Sequence, residues 1–367
     1  MEDEATRFPS LAGSDAERRT ALALAERLRA GGGREVMVET EWVRPRGQLA
    51  YALHAALGVA ASVVAVAAPA VGLGLAALAL LSLLLDLSGR LFLLRRLTPE
   101  RATQNVIAPA RFGGDPRLRV LLVAGCDVER SGIAARVGGR ARRGRGARLS
   151  RARGAAPGAM VWVVVSLVLV LGCSVVRVAS GDVGTVIGGV QLVPTLVLLV
   201  ALALFLDAAT AKPAAFDMVA VDTLIEAATT LDAAPARHVA VDVVIAGAES
   251  GRGVGFLKLL RRHRFPRVRT AVIELRRAPA AGWQTSDGPL FPLRYHPQLL
   301  TLAAKAAAEE RELGATPTLG HASGAAFRAR QRRLPAIRLG APDEPALLSL
   351  VLALVEALDA DLARDAR

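Results

Sequence analysis

The residues of this chain that could do chemistry are carboxylates at the ends of predicted apolar strands. Asp127 follows the segment 118–125, and Glu249 follows the segment 239–246. A carboxylate in such a position can act as a general base or as a metal ligand. It can also simply brace the turn that follows the strand. The residue types alone leave both roles open.

Other motifs exclude several function classes. Cys126 and Cys173 have no metal-ligand spacing, and we expect neither a disulfide nor a nucleophile there. The sequence contains no Gly-x-x-x-x-Gly-Lys-Ser/Thr loop for nucleoside triphosphates. The glycines of the segment 251–255 follow the wrong kind of turn for a dinucleotide fingerprint. Nucleotide-dependent chemistry is therefore not expected.

Alternating helices and strands must position the two carboxylates. Ser14 and Glu17 form a capping-box pattern, which predicts the start of a helix that the glycines 31–33 end. Strands are predicted over 35–43, 102–109, 118–125, 239–246, 268–275 and 335–339, and helices over 217–231, 253–264, 299–313, 324–333 and 345–362. This alternation predicts a three-layer α/β/α sandwich with a mostly parallel sheet. The segment 276–297, rich in proline and glycine, is predicted to be an irregular rim loop.

Four long apolar segments interrupt this pattern. They cover 49–68, 70–85, 160–176 and 183–206, and a hydrocarbon core about 30 Å thick takes roughly 20 helical residues to cross. Two transmembrane helical hairpins, four spans in all, are therefore predicted. Asp86, at the end of the second segment, is expected to pair with Arg90 one helical turn later.

The distribution of positive charge predicts the topology. The chain carries a formal charge of +13, and arginines crowd the approach to the third span: Arg136, Arg140, Arg142, Arg143, Arg145, Arg148, Arg151 and Arg153. Basic residues also flank the other outer ends of the hairpins, whereas the turns inside the hairpins carry almost none. The chain is expected to lie in the cell membrane. By the positive-inside rule, both termini and the soluble domain are expected on the cytoplasmic side. The arginine run has no aromatic residue, so anionic lipid headgroups are the expected partner and nucleic acid is not.

These observations give the predicted domain organisation. The soluble domain is formed by 1–47 with the first helix and strand, 98–135 with central strands, and 207–367 with the remainder. The hairpins occupy 48–97 and 159–206, and the arginine-rich linker occupies 136–158.

In this order and spacing, the soluble segments resemble the co-catalytic di-zinc exopeptidase family, which includes bacterial leucyl aminopeptidases and glutamate carboxypeptidases. The resemblance rests on the opening helix SDAERRTALALAERLRA, the strands TQNVIAPARF and RVLLVAGCDVERSG, the helix AVDTLIEAATTL, the segments VDVVIAGAESG and RTAVIEL, and the late HASGAAFRARQRRLPAIRLG. It covers nearly all of the soluble residues. Each segment is weak alone, and their order carries the resemblance.

The resemblance implies a site with two zinc ions, whose ligands are histidines and carboxylates. Glu249 matches the general base, and Asp127 matches the aspartate that orients the first histidine ligand. The metal-ligand positions themselves fall on Gly125, Phe216, Ser250, Arg276 and Gly324. Glycine and phenylalanine have no zinc donor, and arginine adds positive charge. No metal is therefore expected at these positions.

The sequence is compatible with three functions. The first is a membrane-anchored pseudopeptidase without a cofactor, which binds or scaffolds a protein or peptide partner. The second is an active membrane aminopeptidase or amidohydrolase with a shifted or single zinc site. Substitute ligands for it would be His321, Asp222, Glu274 or Asp287. The third is a component of a membrane transport complex, although the spans contain few polar residues.

Overall fold

The computed structural model describes residues 10–128, 130, 132–133, 159–180, 185–213, 218–250, 252–288, 290, 292–320 and 323–364. The chain forms two compact units. The first, here called the head unit, consists of Met1–Pro45, Glu100–Glu129 and Pro213–Arg367, and the second, the helical unit, consists of Arg46–Pro99 and Arg130–Lys212. The predicted arginine-rich linker lies outside the described residues.

The helices and strands alternate along the described chain. The helices are α1 (Asp15–Gly32), α2 (Gly47–Ala67), α3 (Pro69–Leu87), α4 (Ala159–Ser180), α5 (Thr185–Thr210), α6 (Val219–Ala233), α7 (Val254–Arg262), α8 (Pro297–Glu309), α9 (Ala325–Gln331) and α10 (Glu344–Arg364). The strands are β1 (Met37–Val43), β2 (Arg101–Ala108), β3 (Leu118–Gly125), β4 (Val239–Ala246), β5 (Thr270–Arg277), β6 (Gly282–Asp287), β7 (Leu293–Arg294), β8 (Thr316–Leu319) and β9 (Ala336–Ala341).

The capping box predicted at the start of α1 is present in altered form, because Glu17 bonds the backbone N–H of Gly13 and not that of the cap residue Ser14. The Ser14 hydroxyl accepts a hydrogen bond from the Glu17 backbone N–H at 3.2 Å, and the Glu17 carboxylate accepts one from the Gly13 N–H at 2.5 Å. The helix ends at Gly33, which takes the left-handed conformation with φ of 62°. Local sequence signals therefore determine both ends of this helix.

The described strands of the head unit form one mixed sheet in the order β1-β2-β4-β3-β5-β9-β6-β7, with β8 beside β6. The four central strands β4, β3, β5 and β9 are parallel. The strands β1, β2, β6 and β7 pair antiparallel with their neighbours in that order. The prediction of a mostly parallel sheet is thus correct for the centre and wrong for both flanks.

Helices cover both faces of the sheet, as the α/β/α pattern predicts. Along β3 the side chains alternate, so that Val120 and Leu122 lie in one core with α1, α6, α8 and α10. Leu121 and Val123 lie in a second core with α7 and α9. This two-sided burial explains why the central strands are continuous apolar runs.

The predicted rim loop 276–297 contains two strands, so that prediction is wrong. β6 pairs antiparallel with β9 and parallel with β8. Gly282 begins β6 with its Cα against the Thr316 carbonyl, where a Cβ atom would collide. The strand β6 was not predicted because its sequence is polar. It lies beyond the apolar centre of the sheet.

The helical unit contains the four helices α2 to α5. Each includes an apolar stretch of between 19 and 25 residues, long enough by length and composition to cross a membrane. Within this unit, a Cβ atom at Gly58 would lie 2.5 Å from Leu167 and 3.0 Å from Leu198. A Cβ atom at Gly72 would collide with the backbone of Ala65. Small residues thus allow close contacts between helices inside the unit.

A buried ion pair fixes the end of the first helical hairpin. Asp86 pairs with Arg95 at 2.9 Å, both side chains being 1% exposed, and Arg95 also donates to the Tyr51 hydroxyl at 3.1 Å. The predicted pairing of Asp86 with Arg90 is wrong. α3 ends at Leu87 and Gly89 reverses the chain with φ of 67°, so the helical spacing does not reach Arg90.

Candidate functional site

Parallel pairing brings the predicted site residues to one edge of the head unit. Gly125 at the end of β3 is in register with Ala246 at the end of β4, and β5 runs parallel to β3 on its other side. The carboxyl ends of parallel strands meet at the same edge. Residues that are far apart in sequence therefore become neighbours there.

Asp127 braces the turn that follows β4. Its carboxylate accepts hydrogen bonds from the backbone N–H groups of Glu249 at 2.7 Å and Ser250 at 3.1 Å. It also accepts a hydrogen bond from the Ser250 hydroxyl. Asp127 and Ser250 thus hold this turn together, which gives Asp127 a structural role.

Gly125, which the sequence resemblance aligns with the first histidine ligand, lies directly against the Glu249 side chain. A Cβ atom there would lie 2.9 Å from Glu249 Cβ and 3.1 Å from Glu249 Cγ. Any larger residue, histidine included, would have to displace the Glu249 side chain.

Glu274 is the centre of a buried ion-pair cluster at the same edge. Its Oε1 accepts a hydrogen bond from Arg276 Nε at 2.6 Å, and its Oε2 accepts one from Arg338 Nη2 at 3.0 Å. The backbone N–H of Ala326 donates to Oε2 at 2.8 Å. Arg338 also pairs with Asp287, and the exposed fractions of Glu274, Arg338 and Asp287 are 1%, 3% and 0%. Arg338 is thus buried between two carboxylates, and Arg276, whose side chain is 35% exposed, supplies Glu274 with a second cation.

Gly324, which the sequence resemblance aligns with the late histidine ligand, packs closely against this cluster. A Cβ atom at Gly324 would lie 2.5 Å from Arg338 Nη2 and closer still to Glu274 Oε1. The backbone of Gly324, directly before α9, therefore packs against the ion pair without a side chain. Glycine at this position permits the Arg338–Glu274 contact.

The cluster separates the pKa values of its carboxyl groups. Burial alone would raise the pKa of Glu274, but the guanidinium groups of Arg338 and Arg276 outweigh it and lower the pKa to about 2. Burial raises the pKa of Glu249 to about 8, and the nearby Glu274 carboxylate adds to this shift. At pH 7 the Glu274 carboxylate is therefore charged and the Glu249 carboxyl group is protonated.

Glu249 is also isolated from hydrogen-bond donors. Its side chain is 3% exposed, and within the described part of the chain neither carboxyl oxygen has a hydrogen-bond partner. Arg276 Nη2 lies 3.8 Å from Glu249 Oε1, beyond hydrogen-bond distance. A protonated carboxyl group cannot accept a proton, so Glu249 is not poised as a general base at neutral pH.

The described residues do not fit a two-zinc site. Zinc in such sites is bound by cysteine, histidine or carboxylate. The described positions that the sequence resemblance assigns to metal ligands hold Gly125, Ser250, Arg276 and Gly324, and the carboxylates of Glu274 and Asp287 are paired with arginines. Among the residues that the structure describes, no group of three or more His, Cys, Asp or Glu could hold a metal ion.

The proposed substitute ligands are dispersed. Asp222, in the first turn of α6, accepts a hydrogen bond from Arg27 at 2.9 Å. Glu274 and Asp287 belong to the ion-pair cluster. Phe216, His321 and the arginines of the run 136–153 lie outside the described residues.

Sequence reasoning missed two members of the site. Arg338 lies in the middle of β9, and a single arginine within a buried apolar strand signals a buried ion pair, because charged residues are rarely buried unless paired. Glu17 was interpreted only as a helix cap, yet its carboxylate also accepts hydrogen bonds from the Thr103 hydroxyl at 2.6 Å and the Ala248 N–H at 2.8 Å. Burial, followed by the charge of Asp127, raises the pKa of Glu17 to about 7.

No protein-family model matches the chain, and no curated protein matches it in sequence. Among solved structures, the chain is similar to a glutaminyl cyclase from Porphyromonas gingivalis, with 13% identity, 98% of each chain covered and a TM-score of 0.49. It is similar to a Zn-dependent exopeptidase from Parabacteroides distasonis, with 11% identity, 98% of this chain and 97% of that chain covered, and a TM-score of 0.46. It is also similar to BSAP, a zinc aminopeptidase from Bacillus subtilis, with 10% identity, 96% and 91% covered, and a TM-score of 0.46. TM-scores below 0.5 do not establish a common fold, so the function of the site has to be inferred from its own residues.

Proposed function

We propose that this chain is a membrane-anchored protein whose zinc-exopeptidase-like head has no metal-dependent hydrolase activity and acts in binding or scaffolding. The observation that supports this most directly is the position of Arg338. Its guanidinium group lies between Glu274 and Asp287, at the strand edge where the family resemblance would put zinc. A fixed positive charge there opposes the binding of divalent cations.

The ion pairs also make the site hard to convert into a metal site. Removal of one partner of a buried ion pair typically costs about 3–5 kcal/mol. A metal that recruited Glu274 and Asp287 as ligands would have to separate both from Arg338, and it would gain neither a histidine nor a cysteine from the described positions. The cluster thus replaces the charge balance that metals would provide.

The polar atoms left over in the site are what it offers to a bound molecule. Within the described residues, the Glu249 carboxyl group, the Ser323 hydroxyl and Arg338 Nε have no hydrogen-bond partner. A protonated carboxyl group, a hydroxyl and an N–H donor together suit carbonyl groups, which a peptide supplies. We therefore propose a peptide segment as the ligand of this site. Since all three groups are buried, the peptide has to displace the side chains that cover them.

The membrane part of the proposal rests on the four long apolar helices and on the arginine-rich flanks of both hairpins. In this proposal the head and both termini face the cytoplasm. Reporter fusions after Leu97 and at the C-terminus should both report the cytoplasmic side. An external C-terminus would contradict the orientation.

The absence of metal chemistry is tested on the full chain purified in detergent. After incubation with zinc and dialysis, elemental analysis should find no stoichiometric zinc, and aminoacyl anilides should not be turned over above the rate without protein. The matched variants Asp127→Ala and Glu249→Gln should give the same values as the wild type. One or two zinc ions per chain, lost in either variant, would favour the alternative of an active peptidase with a shifted or single metal site.

Peptide binding is tested separately by titration of dipeptide amides into the wild type and into the variants Ser323→Ala and Glu249→Leu. Both variants should bind more weakly, whereas Glu312→Gln, at an exposed position outside the site, should bind like the wild type. Equal affinity in all four proteins would contradict binding at this site.

A further inference from the structure

An open groove of about 440 Å³ lies on the head unit between α1 and the strands β1 and β2. It is separate from the site at the ends of β3, β4 and β5. Its lining combines cationic, polar and apolar side chains. They include Arg18, Leu22, Val38, Trp42, Arg101 and Gln104. Asp15 is the one acid among the described residues that line it.

The groove combines a large exposed aromatic ring with two arginines. Trp42 is 60% exposed and Leu22 is 44% exposed, although both are large hydrophobic side chains. Arg101 is held beside the start of α1, where its Nη1 donates to the Gly13 carbonyl at 3.5 Å. Indole and guanidinium groups side by side are typical of surfaces at the boundary between water and lipid.

Trp42 lies close in sequence to the first apolar helix. β1 ends at Val43 and α2 begins at Gly47, so five residue steps separate Trp42 from the helix. Five extended residues reach at most about 18 Å. Arg101 is in register with Val43 and therefore lies at the same end of the groove.

We propose that this groove binds the phosphate-bearing headgroup of an anionic phospholipid. The inference rests on the proposed insertion of α2 to α5 into a bilayer, and it concerns a surface distinct from the arginine run 136–153. Arg18 and Arg101 contact the phosphate oxygens, for which guanidinium geometry is well suited. The Trp42 indole lies at headgroup depth, where tryptophan is enriched in membrane proteins.

The test uses the fluorescence of Trp42 in the full chain, reconstituted in nanodiscs. The chain contains three tryptophans, and the difference between the wild type and the variant Trp42→Phe isolates the Trp42 signal. One set of discs contains brominated phosphatidylglycerol, and a second set contains the same mole fraction of brominated phosphatidylcholine. Bromine quenches the fluorescence of a nearby indole. Trp42 should be quenched more strongly by phosphatidylglycerol.

Two variants test the role of the arginines. Arg18→Ala should lower the preference for phosphatidylglycerol about fivefold, which corresponds to about 1 kcal/mol, and Arg18→Ala with Arg101→Ala should abolish it. The matched control, Arg264→Ala with Arg267→Ala, removes two exposed arginines outside the groove and should keep the preference. Inorganic phosphate at millimolar concentration should also leave it unchanged.

Several outcomes would overturn the proposal. These are equal quenching of Trp42 by both lipids, an equal loss of preference in the control variant, and displacement by inorganic phosphate, which would indicate a soluble ligand. Trp162, 56% exposed on α4, reports on the helices independently. Quenching of Trp162 without quenching of Trp42 would refute only the groove, whereas failure to quench Trp162 would refute membrane insertion itself.

Discussion

Replacement of Glu249 by glutamine should stabilise the head unit at alkaline pH. The pKa of Glu249 is raised from 4.5 to about 8 in the folded protein, chiefly by burial. Its neutral form is therefore the one that the fold accepts. The contribution of Glu249 to stability is fully present below pH 4.5 and is lost as the pH rises toward 8. Glutamine has a similar shape and no proton to lose.

The size of this effect follows from the pKa shift. Each pKa unit corresponds to about 1.4 kcal/mol, so the cost of keeping Glu249 protonated reaches at most about 5 kcal/mol near pH 8. Repacking around the ionised group relieves part of it, and we expect Glu249→Gln to gain about 2–4 kcal/mol at pH 8 and almost nothing at pH 4.5. For a unit of this size, that gain raises the melting temperature by roughly 5–15 °C.

The assay is thermal unfolding of the full chain in detergent between pH 4.5 and 9, followed by tryptophan emission, to which the buried Trp283 of the head contributes. Glu312→Gln, an exposed substitution of the same kind, serves as the control and should follow the wild-type curve. If the melting temperatures of wild type and Glu249→Gln differed by the same amount at every pH, the reasoning that Glu249 is a buried neutral carboxyl group would be refuted.

Three other perturbations test the ion pairs. Arg338→Met should destabilise the head by about 3–5 kcal/mol, because it leaves the buried Asp287 without its arginine and Glu274 with Arg276 alone. An unchanged melting temperature would contradict the cluster. The pKa of Glu274 is lowered to about 2, so its contribution to stability should be lost progressively as the pH falls from 4.5 toward 2. The emission of Trp283 at fixed temperature should report this loss of structure. The variant Arg338→Met should not show it. In the helical unit, Arg95→Met should lower the melting temperature of α2 and α3, measured by hydrogen exchange, whereas Arg90→Met should leave it unchanged. Equal effects of the two substitutions would mean that Asp86 does not pair preferentially with Arg95.

Much of the head could be predicted from the sequence because its central elements have unambiguous patterns. The strand 239–246 is continuously apolar and was predicted with the bounds that the structure has, since burial on both faces removes any polar alternation. The capping box of Ser14 and Glu17 is likewise a local signal. The four apolar helices were predicted from their length and composition, because uncharged apolar segments of about 20 residues are typical of transmembrane helices.

The sheet flanks and the ion pairs could not be predicted because they depend on contacts far apart in sequence. β6 is polar, and its place is set by pairing with β9 and β8. The partner of Asp86 is decided by the turn at Gly89, which brings Arg95 rather than Arg90 to it. At the site, the absence of zinc ligands is a prediction from the sequence resemblance. The ion pair between Arg338 and Glu274 could not be predicted, because it depends on the pairing of β9 with β5.

The most direct test of the central claim is a zinc-edge anomalous difference map of the full chain crystallised with excess zinc. If the arginine–carboxylate cluster takes the place of metals, the map should show no anomalous peak among Asp127, Glu249 and Glu274, and Arg338 should remain in contact with Glu274. One or two strong peaks at these carboxylates, with Arg338 displaced, would contradict the account.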